Sequence, residues 1–192
     1  MKKLIGSKKI KTAVFISGTG SNLKSLINFS KTKKSPISID LIISNTFKAT
    51  GLKYASQFKI KKKIFNFEKN EVAEKNILLF LKKQKINFVC LAGFMKILSN
   101  NFIKKFKGKI INIHPSLLPK YKGLHAHERA IENKEKFTGC TVHYVTAKLD
   151  SGKIIMQAKV KILAKDNSFS LAKKVLKKEH KLYSDSILKI FN

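Results

Sequence analysis

The chain has 192 residues and a mass of 21.8 kDa, which is the size of one large domain. No uncharged apolar run approaches the roughly 20 residues that cross a bilayer. The charged N-terminus is not followed by an apolar segment of the kind that a signal peptide needs. We therefore exclude a transmembrane protein and predict a cytoplasmic protein that has no membrane partner.

The charge of the chain is strongly positive, because 41 lysines and arginines stand against 11 aspartates and glutamates and give a net charge of +30. Only one of these 41 cations is arginine, Arg129, and the lysines are spread over nearly every segment. A nucleic-acid interface instead concentrates both residue types on one face. We predict no specific nucleic-acid partner and a positive field that attracts anionic small substrates. A basic nucleic-acid-binding module stays open as the alternative from another class, with the charge as its only support.

Apolar runs alternate with amphipathic segments from residue 11 onward, which is the pattern of βαβ units in a mostly parallel sheet. The predicted strands cover residues 12–17, 37–44, 63–65, 88–92, 110–113, 141–146 and 154–162. The predicted helices cover residues 21–29, 50–58, 71–84, 99–106 and 170–190. The last two strands alternate in polarity and flank a turn, so they are expected to pair at one edge. The predicted fold class is α/β: a Rossmann-like, mostly parallel central sheet with helices on both faces and an antiparallel edge pair.

The chain is predicted to form a single domain over residues 11–192, preceded by a disordered N-terminal extension at residues 1–10. This domain is expected to hold together without disulfides. Cys90 and Cys140 lie far apart inside apolar segments and lack CxxC spacing. They are therefore predicted to be buried free thiols.

A glycine-rich turn, residues 18–22, lies between the first strand and the first helix. Backbone N–H groups and the positive end of a helix converge at such a turn, which predicts an anion site. Leu23 stands where a dinucleotide-binding fingerprint has its third glycine, and Ser44 and Asn45 replace the acidic residue at the end of the second strand. NAD binding is therefore not expected. A tight turn that merely caps the helix with Ser21 remains the alternative.

A polar segment, residues 112–119, begins where a central strand ends, and ligands of open α/β sheets bind at that edge. Asn112 and His114 are two residues apart, so their side chains point to the same side of the strand. An amide donor and an imidazole can stabilise an oxyanion and act as a general acid. A capping asparagine beside a hydrogen-bonded histidine is the alternative. We also expect a cis bond at Leu118–Pro119 or a neighbouring position of this proline-rich loop.

The remaining histidines provide weaker signals. His125 and His127 form an HxH pair that, with His143 and Asp150, has spacing compatible with zinc, but the sequence places no supporting carboxylate beside the pair. We predict no metal site. His180 on the last helix has no evident partner and is interpreted as structural.

Taken together, four segments resemble the phosphoribosylglycinamide formyltransferase family, and the resemblance runs in order from Lys11 to Phe191. The segments are residues 16–23, 91–98, 112–119 and 149–152. The resemblance implies transfer of a formyl group from 10-formyltetrahydrofolate, a co-substrate, to the amine of glycinamide ribonucleotide in purine biosynthesis. Both substrates are small molecules, and the implied reaction needs neither metal nor covalent intermediate.

The resemblance also implies the roles of individual residues. It assigns catalysis to Asn112, His114 and Asp150. It assigns ribonucleotide binding to Gly20, Ser21, Asn22 and Glu179. It assigns folate binding to Met95, Lys96, Ile97, Leu98, Asn112, Thr146, Ala147, Lys148, Leu149 and Asp150. Two adjoining subsites follow, and we expect Asp150 to keep His114 protonated.

The sequence departs from the family pattern at positions that concern binding. Lys96 stands where the family has an arginine, and lysine lacks the planar fork of a guanidinium. A second arginine is replaced near Asn70, with Lys69 beside it, and a glutamine is replaced by Leu176. A methionyl-tRNA formyltransferase and a formyltetrahydrofolate hydrolase are implied as alternatives that share the core. Their additional domains are not expected in a chain of this length.

Overall fold

The computed structural model describes residues 9–191, which contain seven strands and six α-helices. The strands are β1 (Ile10–Ile16), β2 (Ile37–Ser44), β3 (Lys61–Ile64), β4 (Phe88–Leu91), β5 (Lys109–His114), β6 (Phe137–Tyr144) and β7 (Ile154–Lys161). The helices are α1 (Ser21–Ser30), α2 (Lys53–Gln57), α3 (Asn70–Lys83), α4 (Asn100–Lys105), α5 (Ala126–Glu132) and α6 (Ser168–Phe191). Most of the predicted extension, residues 1–8, lies outside the described residues, whereas Ile10 is the first residue of β1.

The seven strands form one sheet in the order β3-β2-β1-β4-β5-β6-β7. The first five strands run parallel, whereas β6 is antiparallel to both β5 and β7. The predicted α/β class, with its mostly parallel sheet and its antiparallel edge pair, is confirmed. The strand order reverses at β1, with β2 on one side and β4 on the other, and such a switch point leaves a crevice at the carboxyl edge.

Both faces of the sheet are covered by helices, which explains the continuous apolar run of β1. Val14 and Ile16 pack on the face that α1 and α6 cover, while Ala13 and Phe15 pack on the face that α3 and α4 cover. All four side chains are fully buried. Successive residues of a strand point to opposite faces, so a strand with two covered faces is apolar at every position.

Helix α6 is fixed to the strands β4 and β5 by Tyr183. Its side chain is fully buried, and its hydroxyl group shares its hydrogen between Leu91 O at 2.9 Å and Ile111 O at 3.3 Å. The two cysteines are buried free thiols, as predicted. None of the helices within residues 9–191 is both long and apolar enough to cross a membrane.

The structure differs from the sequence prediction at two helices. The helix predicted over residues 50–58 is split into a 3₁₀ turn at Thr50–Leu52 and the short helix α2, where Gly51 lies against the glycine-rich turn. Helix α5 was not predicted. It buries only Ala126 and Ala130, and seven residues with two small buried side chains have no strong helical periodicity.

Candidate active site

Four loops meet at the carboxyl edge of the sheet and carry nearly all the predicted site residues. They are the turns after β1 and β4, the loop between β5 and α5, and the loop between β6 and β7. Parallel strands bring the first three to one edge. Strand β6 runs antiparallel away from that edge, and the loop that follows it folds back so that Asp150 reaches His114. The Leu118–Pro119 bond in the third loop is cis, as predicted.

The residues to which the resemblance assigns catalysis lie together although Asp150 is distant in sequence. His114 Nδ1 lies 3.3 Å from Asp150 Oδ2, and Asn112 Nδ2 lies 3.5 Å from Asp150 Oδ1. The side chains of His114 and Asp150 are only 7% and 8% exposed. A carboxylate buried to this extent needs polar partners, and these two side chains provide them.

Backbone groups of the loop between β5 and α5 determine how this pair is protonated. His114 Nε2 lies 2.8 Å from Tyr121 O, and a carbonyl oxygen can only accept, so Nε2 carries the hydrogen. Nδ1 of a neutral His114 then presents its lone pair toward Asp150. On the other side of the pair, Gly123 N–H donates to Asp150 Oδ2 at 2.9 Å. The loop therefore holds the imidazole and the carboxylate at the same time.

The expectation that Asp150 keeps His114 protonated is wrong. Burial lowers the pKa of His114 below its ordinary value, and the opposing effects of Tyr121 O and Asp150 are too small to reverse the shift. Burial raises the pKa of Asp150, but its hydrogen bonds, among them the one from Gly123 N–H, outweigh burial and lower it overall. Burial therefore favours a neutral imidazole beside a carboxylate.

His143 is a site residue that the sequence analysis considered only as a zinc ligand. It lies opposite Asn112 in the β5–β6 ladder, and its Nε2 is 3.2 Å from Asn112 Nδ2. Its Nδ1 donates to Tyr144 O at 2.9 Å, which leaves Nε2 free to accept from the asparagine. The alternation of residues 141–146 already indicated which face of the strand carries His143, but the partner depends on strand pairing.

A cavity of about 960 Å³ opens beside the cluster. Eight of the ten residues predicted to bind folate line it: Met95, Lys96, Ile97, Leu98, Asn112, Thr146, Leu149 and Asp150. Ala147 and Lys148 lie in the loop between β6 and β7 without lining the cavity. The exposed side chains of Met95, Ile97 and Leu149 give the mouth an apolar surface, which suits a flat aromatic ligand.

A smaller cavity of about 220 Å³ lies at the glycine-rich turn and shares Gly93 and Met95 with the larger one. Gly20 and Ser21 line it. The structure thus contains two adjoining cavities at the places where two subsites are predicted. Gly20 is the N-cap residue of α1 and no side chain caps the helix, so the alternative role of Ser21 as the cap is wrong. The N–H groups of the first turn remain available to an anion.

Helix α6 contacts the first turn of α1 at two successive residues. Asn22 Nδ2 donates to Glu179 Oε2 at 2.6 Å, and Ser21 Oγ lies 2.7 Å from His180 Nε2. His180, interpreted as structural, thus has a partner that was not evident from the sequence. Glu179 also lines the larger cavity, and burial raises the pKa of its carboxyl group.

The positions that depart from the family pattern are scattered. Lys96 is exposed and lines the larger cavity. Lys69 and Asn70 begin α3, and neither they nor Leu176 on α6 line either cavity. Only Lys96 is therefore placed to substitute for a family arginine at the ligand.

The zinc alternative finds no support in the geometry. Within residues 9–191, no group of three or more histidine, cysteine, aspartate or glutamate side chains could hold a metal ion. His125 is exposed, and its Nδ1 pairs with Glu128 Oε2 at 2.5 Å. His143 and Asp150 contact the proposed catalytic residues instead.

Comparisons with known proteins agree on one family. A family model described as formyl transferase matches residues 10–187. The chain is 40% identical over 176 residues to the phosphoribosylglycinamide formyltransferase of Haemophilus influenzae, covering 90% of this chain and 83% of that protein. The crystal structure of phosphoribosylglycinamide formyltransferase from Brucella melitensis matches with a TM-score of 0.90 at 41% identity, covering 95% of this chain and 96% of that one.

A longer relative matches over one part of its length. The human trifunctional purine biosynthetic protein adenosine-3 is 45% identical over 179 residues, which are 92% of this chain but 18% of that protein. The chain thus spans less than a fifth of the trifunctional relative and most of each bacterial formyltransferase.

Proposed function

This chain belongs to the formyl transferase family, and on that premise we propose that it transfers the formyl group of 10-formyltetrahydrofolate to the amine of glycinamide ribonucleotide. The amine nitrogen attacks the formyl carbon, the bond from that carbon to N10 of the folate breaks, and a proton moves from the amine to N10. The proposed enzyme is cytoplasmic, takes part in purine biosynthesis and acts on these two small molecules.

The observation that carries the proposal is the position of the Asn112, His114 and Asp150 cluster in the wall of the larger cavity, next to the smaller one. The folate is assigned to the larger cavity and the ribonucleotide phosphate to the glycine-rich turn. Two reactants held in neighbouring subsites avoid much of the entropy loss of a bimolecular step, which can lower a barrier by about 7–11 kcal/mol.

Asn112 stabilises the charge that develops during attack. Its amide Nδ2 carries two hydrogens, one of which donates to His143 Nε2 at 3.2 Å. The other faces Asp150 Oδ1 at 3.5 Å, a long contact that it can exchange for the formyl oxygen. An amide N–H directed at the formyl oxygen becomes a stronger donor as that oxygen gains negative charge. The contact with the imidazole holds the amide in place for that role.

His114 takes up the amine proton at Nδ1, because Nε2 already donates to Tyr121 O. The lowered pKa of His114 keeps the ring neutral and able to accept this proton near neutral pH. Asp150, 3.3 Å away, then stabilises the imidazolium until the proton is delivered to N10. In this mechanism His114 acts first as a base and afterwards as an acid.

The ribonucleotide is held by the turn and by α6. Gly20, Ser21 and Asn22 present backbone N–H groups to the phosphate at the positive end of α1. Glu179 accepts from Asn22, and its carboxylate can accept in the same way from ribose hydroxyl groups.

The test is an assay of the purified chain with both substrates, in which mass spectrometry detects the N-formylated ribonucleotide. The Asp150→Asn variant, which keeps the shape of the side chain, is the matched control and should form product more slowly. Absence of product with a folded wild-type chain would refute the proposal. Release of formate at the same rate without ribonucleotide would instead favour the hydrolase alternative.

A further inference from the structure

The single arginine of the chain contacts the loop that holds the proposed catalytic pair. Arg129 is half-buried on α5, and its Nη2–H donates to Lys122 O at 2.5 Å. Its guanidinium carbon also lies 5.5 Å from the centre of the Tyr121 ring. One side chain therefore contacts two adjacent residues of the same loop.

Lys122 O, which accepts from Arg129, lies in the chain between the two backbone groups that contact the His114–Asp150 pair. Tyr121 O accepts from His114 Nε2, and Gly123 N–H donates to Asp150 Oδ2. Tyr121 has a φ of 54° and Gly123 a φ of 74°, so both lie in the left-handed region. A non-glycine residue in this region is strained, and it stays there only when surrounding contacts hold it.

The two contacts of Arg129 suit a guanidinium better than an ammonium. A planar guanidinium can place its face on an aromatic ring while its edge donates a hydrogen bond, whereas a lysine ammonium has no such face. No carboxylate in the described part of the chain lies within 4.0 Å of Arg129, so an ion pair does not explain its position. The one arginine among the 41 cationic side chains thus contacts an aromatic ring and a backbone carbonyl at the same time.

We infer that Arg129 is a positioning residue: it holds the Tyr121–Gly123 loop so that Tyr121 O fixes the hydrogen of His114 on Nε2 and Gly123 N–H fixes Asp150. The inference deepens the proposed function and rests on it for the kinetic part of its test. Without this hold, a neutral His114 would gain the tautomer with hydrogen on Nδ1, which can donate to Asp150 Oδ2 only 3.3 Å away. In that tautomer Nδ1 cannot accept the amine proton.

Three variants distinguish the effect of the contacts that Arg129 makes from the effect of its charge and from a general loss of stability. Arg129→Met keeps an apolar stem but removes the donor and the charge, while Arg129→Lys keeps the charge without the planar group. Lys120→Met is the matched control, because Lys120 is exposed, lies in the same loop and pairs with Glu135 instead of the loop backbone. Unfolding curves establish that each variant is folded before it is assayed.

Two readouts are expected to change in the Arg129 variants. We expect kcat to fall by about tenfold to a hundredfold with little change in the KM of either substrate, since a misplacement of about 1 Å can cost about 10²-fold in rate. ¹⁵N NMR of the imidazole, at a pH above the pKa of His114, should show the Nδ1–H tautomer appearing beside the Nε2–H form. Lys120→Met should match the wild type in both measurements.

The outcomes decide between the possible roles. A folded Arg129→Met variant with wild-type kcat and an unchanged tautomer would overturn the inference. Wild-type behaviour of Arg129→Lys beside a defective Arg129→Met variant would show that the charge suffices, and it would also overturn the inference. The NMR readout needs no substrate, so it tests the positioning role even if the wild type fails the formyl transfer assay and the proposed function is refuted.

Discussion

The close approach of two glycines at the glycine-rich turn leads to a prediction that four alanine variants can test. Gly20 has a φ of +73°, and a Cβ atom built on it would lie 2.8 Å from Gly51 Cα, which is backbone and cannot move aside. Gly51→Ala would meet the same contact from the opposite side without the positive φ. Gly93 has a φ of +72° but open space, and Gly18 has neither constraint.

The expected losses of stability follow from these two separate constraints. A left-handed non-glycine residue costs about 1–2 kcal/mol, which is the expectation for Gly93→Ala. Overpacking costs about 1–3 kcal/mol, which is the expectation for Gly51→Ala. Gly20→Ala combines both and should lose about 2–5 kcal/mol of the free energy of unfolding. Gly18→Ala should be neutral or slightly stabilising, because alanine reduces the entropy of the unfolded chain.

Denaturant unfolding of the four variants measures these losses, and initial rates measure the consequences for binding. Gly20→Ala and Gly51→Ala should raise the KM for the ribonucleotide more than the KM for the folate, since both displace the N–H groups of the turn. The reasoning fails if Gly20→Ala loses no more stability than Gly93→Ala. It also fails if a folded Gly20→Ala variant keeps the wild-type KM for the ribonucleotide.

Three further predictions concern the proposed catalytic and ribonucleotide sites. Asn112→Ala should lower kcat by roughly 10²–10³, equivalent to about 2.7–4 kcal/mol of transition-state stabilisation, with a smaller change in KM. If steady-state kinetics showed a change in KM alone, Asn112 would not stabilise the oxyanion. Asp150→Asn should lower the pKa of His114 further, because the carboxylate raises that pKa, so an equal or higher pKa in an NMR titration would disprove the electrostatic coupling. Glu179→Gln should raise the KM for the ribonucleotide yet stabilise the fold near neutral pH. Burial raises the pKa of Glu179 in the folded chain above 4.5, its value in the unfolded chain, so the charged side chain reduces the stability of the fold as pH rises above 4.5. Denaturant titrations at about pH 4 and about pH 8 should therefore show that Glu179→Gln increases the free energy of unfolding only at the higher pH.

The positions of the strands and of the long helices along the chain could be predicted from the sequence because both depend on local patterns. The apolar run of β1 and the alternation of β6 and β7 reflect how many faces of each strand are covered, and this is visible along the chain. Helix α5 could not be predicted, since its two buried alanines give too weak a period.

In the candidate site, too, some features could be predicted from the sequence and others could not. The sequence by itself determined that Asn112 and His114 share one side of a strand that ends at the ligand edge, because a period of two residues requires it. Only the tertiary structure decided that burial lowers the pKa of His114, that Tyr121 O lies against its Nε2 and that Arg129 contacts the loop. Burial and backbone hydrogen bonds control these properties, and neither has a signature in the identity of neighbouring side chains.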